Sequence, residues 1–208
     1  CSLQAQAAPT TTVYGDTLAS GWVLGGWSST GSLINTTPVN TGTYSIKGNY
    51  TSGWGMFSIN HRTANWVITP FPSTDYTAVT FDINPGATVA AGLNSIYIQL
   101  GGDSGTNFGN GKVLKVYVPG GFVANTWTSV RVPLADLNPN NQPFYSIGFY
   151  NNSSKTGFSF FLDNVTLEGS DGTPVPTPVP TPVPTPVPTP VPTPVPPPVP
   201  TPVPAPVP

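Results

Sequence analysis

The sequence predicts an all-β fold, a sandwich or barrel of antiparallel strands, followed by a polyproline II tail. Three observations carry that prediction. Short runs rich in Val, Ile, Tyr, Phe and Thr alternate with Gly, Asn and Pro punctuation through residues 13–169. No stretch sustains a 3.6-residue apolar period with helix caps. From Thr173 to Pro208 the chain reads as nine tetrads of Thr-Pro-Val-Pro type.

The candidate strands, in order, are residues 43–50, 54–60, 65–69, 78–83, 95–100, 113–118, 127–133, 145–150 and 158–167. Alternation sorts their faces. In 95–100, Ile96, Ile98 and Leu100 share one side while Ser95, Tyr97 and Gln99 share the other. In 113–118, Leu114, Val116 and Val118 oppose Lys115 and Tyr117. In 54–60, Phe57 and Ile59 oppose Trp54, Met56 and Ser58. Strand 158–167 is apolar on both sides over much of its length, as a central strand is.

The domain limits follow from composition. Residues 1–12 are small and polar and read as a flexible leader, 13–169 as the sandwich domain and 170–208 as the tail. In the tail, proline at every second position removes half the amide donors and fixes φ, which leaves polyproline II. At ~3.1 Å per residue the repeat reaches on the order of 110 Å as a semi-rigid spacer. Its regularly placed hydroxyls, on Thr173, Thr177, Thr181, Thr185, Thr189, Thr193 and Thr201, are candidate O-glycosylation sites.

Charged residues are 7% of the chain, against roughly 25% in ordinary soluble domains, so hydroxyls and amides supply the surface polarity. Net charge is −2 with no basic cluster, which argues against counterion-release binding of nucleic acid and electrostatic adsorption to membranes. The single cysteine is Cys1, so the domain holds no internal disulfide. Two readings of that end stand side by side. Cys1 followed by Ser matches a mature lipoprotein terminus that carries lipid, and Ala5-Gln6-Ala7 matches a signal-peptidase site before Ala8. Both place the protein in a secreted or cell-surface setting, with the membrane touched only through a lipid on Cys1.

Several segments together resemble the jelly-roll carbohydrate-binding modules of bacterial secreted glycoside hydrolases and surface proteins. They are Val13-Tyr14-Gly15-Asp16-Thr17-Leu18 with Gly21-Trp22, then Gly42-Thr43-Tyr44-Ser45-Ile46 and Gly53-Trp54-Gly55. Residues 125–134, centred on Trp127, and the closing Phe160-Phe161-Leu162-Asp163-Asn164-Val165 complete the set. The resemblance implies an antiparallel jelly-roll β-sandwich. It also implies a structural Ca²⁺ held by Asp16 and Asp163, with the 42–45 turn offering carbonyl oxygens; the bland alternative makes Asp16 a turn residue and Asp163 a cap at a bulge. A Thr-Pro linker beside such a module is similar to the tethers of secreted cellulases.

No catalytic constellation emerges. A glycosidase needs two opposed carboxylates, and the chain has Glu168 and seven scattered Asp. The lone His61 has no nucleophile beside it in sequence. Sugar binding needs rings that stack on pyranose faces with amide and hydroxyl partners. Trp54, Tyr97, Gln99 and Tyr117 stand on the polar sides of their strands and are the candidate carbohydrate-binding residues. Outward aromatics also shield sheets without binding anything, so both readings stay open. Trp22 and Trp127 read as structural, and no parity argument assigns Trp27 or Trp66. The expectation is a non-catalytic polysaccharide-binding module on a Pro-rich spacer. The alternative is a structural subunit of an extracellular fibre, sheath or adhesive assembly, with further copies of the chain as partner.

Overall fold

The protein is described by a computed structural model covering residues 8–63, 65–102 and 111–170. Cys1, the leader residues before Ala8 and the Pro-rich tail, with its threonines Thr173, Thr177, Thr181, Thr185, Thr189, Thr193 and Thr201, lie outside the described residues.

Among the described residues, eleven strands form two antiparallel sheets packed face to face. In chain order they are β1 (Thr11–Tyr14), β2 (Trp22–Trp27), β3 (Ser29–Asn35), β4 (Ser45–Tyr50), β5 (Met56–His61) and β6 (Tyr76–Asn84). There follow β7 (Ile96–Gly101), β8 (Lys112–Val113), β9 (Thr128–Pro133), β10 (Ser146–Asn151) and β11 (Phe158–Gly169). One sheet runs β3-β4-β11-β6-β9, with β1 also paired to β11; the other runs β2-β5-β10-β7-β8. A single helical turn, α1 (Leu134–Leu137), follows β9. No helix among the described residues is long and apolar enough to cross a membrane.

The core is what the alternation predicts. Phe57 and Ile59 of β5, Ile96, Ile98 and Leu100 of β7, and Ile147 and Phe149 of β10 all point inward and are buried. They meet Tyr50, Phe81 and Phe160 of the facing sheet in a cluster of tilted and edge-on rings. Each side chain of that size contributes roughly 1.5–3 kcal/mol on full burial. Strand β11 is central, as its two-sided apolarity indicated. A bulge after Asp163, with Asn164 at φ 49°, shifts its parity so that Phe160, Leu162, Val165 and Leu167 all reach the core.

Three departures from the sequence reading have physical reasons. Residues 65–69 form no strand; the segment is a tight turn joined to its stem by an isolated Arg62–Ile68 bridge. Segment 113–118 keeps ladder pairing only at Lys112–Val113 and then winds into a 3-10 turn, Leu114–Tyr117. Val116, expected inside, is therefore 78% exposed while Leu114 is buried. Strands β1, β2 and β3 were not read from the sequence, because WVLGGW and STGSLIN carry too many glycines and serines for a clean alternation. Pairing in β1 begins at Thr11, opposite Leu167 of β11.

Candidate functional site

The outward face of the β2-β5-β10-β7-β8 sheet carries three rows of side chains in register. Trp27, Met56, Tyr150 and Tyr97 lie opposite one another across β2, β5, β10 and β7. Gly25, Ser58, Gly148 and Gln99 make the next row, and Val23, Asn60, Ser146 and Gly101 the third. Two glycines in the middle row leave the face low between higher walls. The result is a groove of about 320 Å³ floored by Gly25, Ser58, Asn60 and Ser146 and walled by Trp27, Trp66 and Tyr145. A second hollow of about 340 Å³, lined by Tyr97, Lys112, Val113, Val116 and Tyr117, sits at the β7-β8 edge of the same face.

Local backbone aims the indoles. Gly26 has φ 123°, and a Cβ there would collide with the Met56 carbonyl, so only glycine fits beside Trp27, which shares the outward face with Val23 and Gly25. The Trp27 indole N–H donates to the Trp54 carbonyl at 3.1 Å, and the Trp54 amide donates to the Ser153 carbonyl at 2.8 Å. Trp54 (φ 58°) and Trp66 (φ 63°) both occupy the left-handed region, rare for bulky residues and worth about 1–3 kcal/mol of strain each. Trp27, Trp54 and Trp66 are nonetheless 53%, 55% and 72% exposed, three large rings held in water. The Trp66 turn is pinned by its own bonds, Trp66 N–H to the Thr63 carbonyl and Thr63 N–H to the Val67 carbonyl.

The four carbohydrate-binding candidates are not one strand-borne platform. Tyr97 does stand on the outward face of β7, half-buried. Gln99 is in the floor row but 8% exposed, its amide facing the Met56 sulfur. Trp54 is on the turn before β5 rather than in a strand, and reaches the groove by bracing Trp27. Tyr117 is on the 3-10 turn and donates its hydroxyl to Asp136 at 2.8 Å; burial and that carboxylate push its pKa up to about 12. Trp27 and Trp66, left unassigned by the sequence, are the indoles that line the groove. The signal for Trp27 was the Gly25-Gly26 pair before it. Trp22 is buried against Phe71 and His61, and His61 is held by a 2.7 Å contact from Nδ1 to the Thr69 carbonyl.

Asp16 and Asp163 are both met by the 40–44 loop, through its amides. Asp16 Oδ1 accepts the Thr43 and Tyr44 N–H groups at 2.7 and 2.9 Å. Asp163 is fully buried; Oδ2 accepts the Asn40 and Thr41 amides and Oδ1 the Asn164 amide. The residue directly across from Asp163 is Asp82, itself 5% exposed and bonded by Ser129, Asn40 and Asn164 side chains. A calcium ion needs six or more oxygens converging on it. Here donors converge on the carboxylates, and no group of three or more His, Cys, Asp or Glu gathers among the described residues. Backbone amides thus compensate both carboxylates. The two backbone bonds hold the Asp16 carboxyl below its usual range, whereas desolvation outweighs the amides and raises that of Asp163.

Comparison with known proteins gives likeness in structure only. No family model matches the chain, and no curated protein matches it. Solved structures of family 29 carbohydrate-binding modules do match. A variant complexed with cellulohexaose superposes with TM-score 0.54 at 15% identity, covering 82% of this chain and 99% of that one. Another, complexed with mannohexaose, gives 0.53 at 14% identity, over 83% and 100%. What they share with this chain is the β-sandwich fold.

Proposed function

We propose that the outward face of the β2-β5-β10-β7-β8 sheet binds an extended polysaccharide chain and leaves it chemically unchanged. The observation that carries this reading is the groove itself. Two exposed indoles, Trp27, braced by the Trp54 carbonyl, and Trp66, flank a floor of glycine, hydroxyl and amide groups. Exposed indoles cost free energy unless something covers them, and sugar rings present apolar C–H faces to aromatics and hydroxyls to Ser58, Asn60 and Ser146. The ligands in the solved modules, cellulohexaose and mannohexaose, are of this class. The glycan lies along the groove between Trp27 and Trp66, over Gly25, Ser58, Asn60 and Ser146.

The same reading places the protein outside the cell, with the Pro-rich tail as spacer and its threonines as glycosylation sites. Affinity electrophoresis in gels cast with glucans, mannans and xylans tests it. Retardation in at least one gel is expected, with loss on Trp27→Ala. Free migration in every gel rules out this assignment of the face.

A further inference from the structure

One end of the groove stands beside a cation that no described carboxylate pairs. Arg62 follows β5 directly, and its guanidinium carbon lies 3.5 Å from the centroid of the Trp66 ring. Trp66 is itself a wall of the groove, so the guanidinium lies against a residue of the ligand space. Arg62 is half-buried. Its Nε is buried with no hydrogen-bond partner, and its side chain makes one long bond, 3.5 Å, to the Thr63 carbonyl. Among the described residues the ion pair formed is Arg131 with Glu168, on the other sheet, so no described carboxylate answers Arg62.

Stacking uses one face of a guanidinium and leaves its planar N–H fork free, a geometry matched by a carboxylate. The surroundings favour an anion. No Asp or Glu lines the groove or the edge hollow among the described residues, whereas Lys112 lines the latter. Asp82, Asp163 and Glu168 belong to the opposite sheet, and Asp16 to a turn bonded to the 43–44 segment. Asp136, bonded to Tyr117, stands at the β8 edge, away from Arg62.

We infer that the Trp66 end of the groove recognises a carboxylate borne by the glycan, and that the preferred ligand is an acidic polysaccharide. A uronate bound beside Trp66 reaches past the edge of the indole with its carboxylate to the Nη end of Arg62. This rests on the glycan-binding reading of the same face.

Calorimetric titration of the full chain with a β-1,4-mannan hexamer and a β-1,4-mannuronan hexamer tests it, since the two ligands differ only in the oxidation state of C6. At low salt the mannuronan is expected to bind about tenfold more tightly, the scale of one charge-assisted hydrogen bond. High salt shrinks that ratio by screening. Arg62→Ala removes the ratio, and Arg62→Lys, which keeps the charge without the fork, restores only part of it. Trp66→Ala weakens both ligands, which ties the mannuronan to this groove. Since Arg62 also backs Trp66, the readout is the ratio between ligands, not either affinity alone. Equal affinities, or an Arg62→Ala variant that weakens both ligands in proportion, overturn the carboxylate inference and leave the glycan-binding reading standing. Failure of both hexamers to bind overturns the carboxylate inference, and the glycan-binding reading falls with it only when the glucan, mannan and xylan gels show free migration as well.

Discussion

At Trp27 and Trp54 the backbone decides what the side chains are available for. The Trp27 ring cannot fold back onto the sheet while the Trp54 carbonyl holds its N–H. Trp27→Ala is therefore expected to weaken glycan retardation about tenfold or more, as a lost anchor ring does, with little change in melting temperature because the ring is 53% exposed. Asp163 behaves oppositely. Asp163→Ala leaves the Asn40, Thr41 and Asn164 amides without their acceptor in a buried place. Urea unfolding should show a loss of about 1–3 kcal/mol, the cost of stranding buried donors, with glycan affinity retained. The two carboxylates also titrate with opposite signs. Asp16, whose folded pKa is depressed, adds stability above the ordinary carboxylate pKa that is lost as pH falls through the lower folded value. Asp163, whose folded pKa is raised, adds stability below the ordinary value that is lost as pH rises through the folded one. Melting across pH 2–6 should thus lose its low-pH decline partly in Asp16→Asn, and a decline of unchanged depth in that variant would contradict the assignment.

Strands β2, β5 and β10 make the groove by what they lack as much as by what they carry. Gly25 and Gly148 lie on either side of Ser58 in the floor row. A Cβ at Gly25 would press on the Asn60 amide, a movable side-chain end, so Gly25→Ala should fold. It should nonetheless raise the floor and push a hydrogen-bonding group aside, so weaker glycan retardation at an unchanged melting temperature is expected. The short β8 shows the limit of pattern reading. Leu114-Lys115-Val116-Tyr117 alternates like a strand, yet it closes as a 3-10 turn that buries Leu114, exposes Val116 and bonds Tyr117 to Asp136. Two-residue periodicity over four residues cannot separate these outcomes, because a 3-10 turn also places successive side chains on different sides.

For the molecule as a whole, the two sheets divide the polar work. One buries a carboxylate network of Asp82 and Asp163 under the 40–44 loop, and the other presents the indoles. Because amides already meet Asp16 and Asp163, EDTA is expected to leave the melting temperature unchanged. A drop on chelation, reversed by Ca²⁺, would place the ion between Asp16 and Asp163. Removing residues 171–208 should leave both the melting temperature and glycan affinity as they are, if the tail acts as a spacer and nothing more; a change in either would give it a second role.

The sandwich itself was legible because alternation is a local property. Ile96-Tyr97-Ile98-Gln99-Leu100 and the two-sided β11 announce their faces residue by residue, and the apolar side of β7 and both sides of β11 are buried as announced, with Gln99 outward yet covered. The outward aspect of Tyr97 and Gln99 followed from the same rule. The groove's other walls did not, because Trp27 lies in a glycine-rich strand whose alternation is masked and Trp66 is aimed by a left-handed turn, and such a φ value leaves no periodic trace. The partner of Asp163 was hidden for a related reason. Asp82 and Asp163 are 81 positions apart and meet only through the β6-β11 register. Local chemistry along the chain determines which residues turn inward; which of the outward ones come together is decided by strand order and register, which exist only once the sheets have paired.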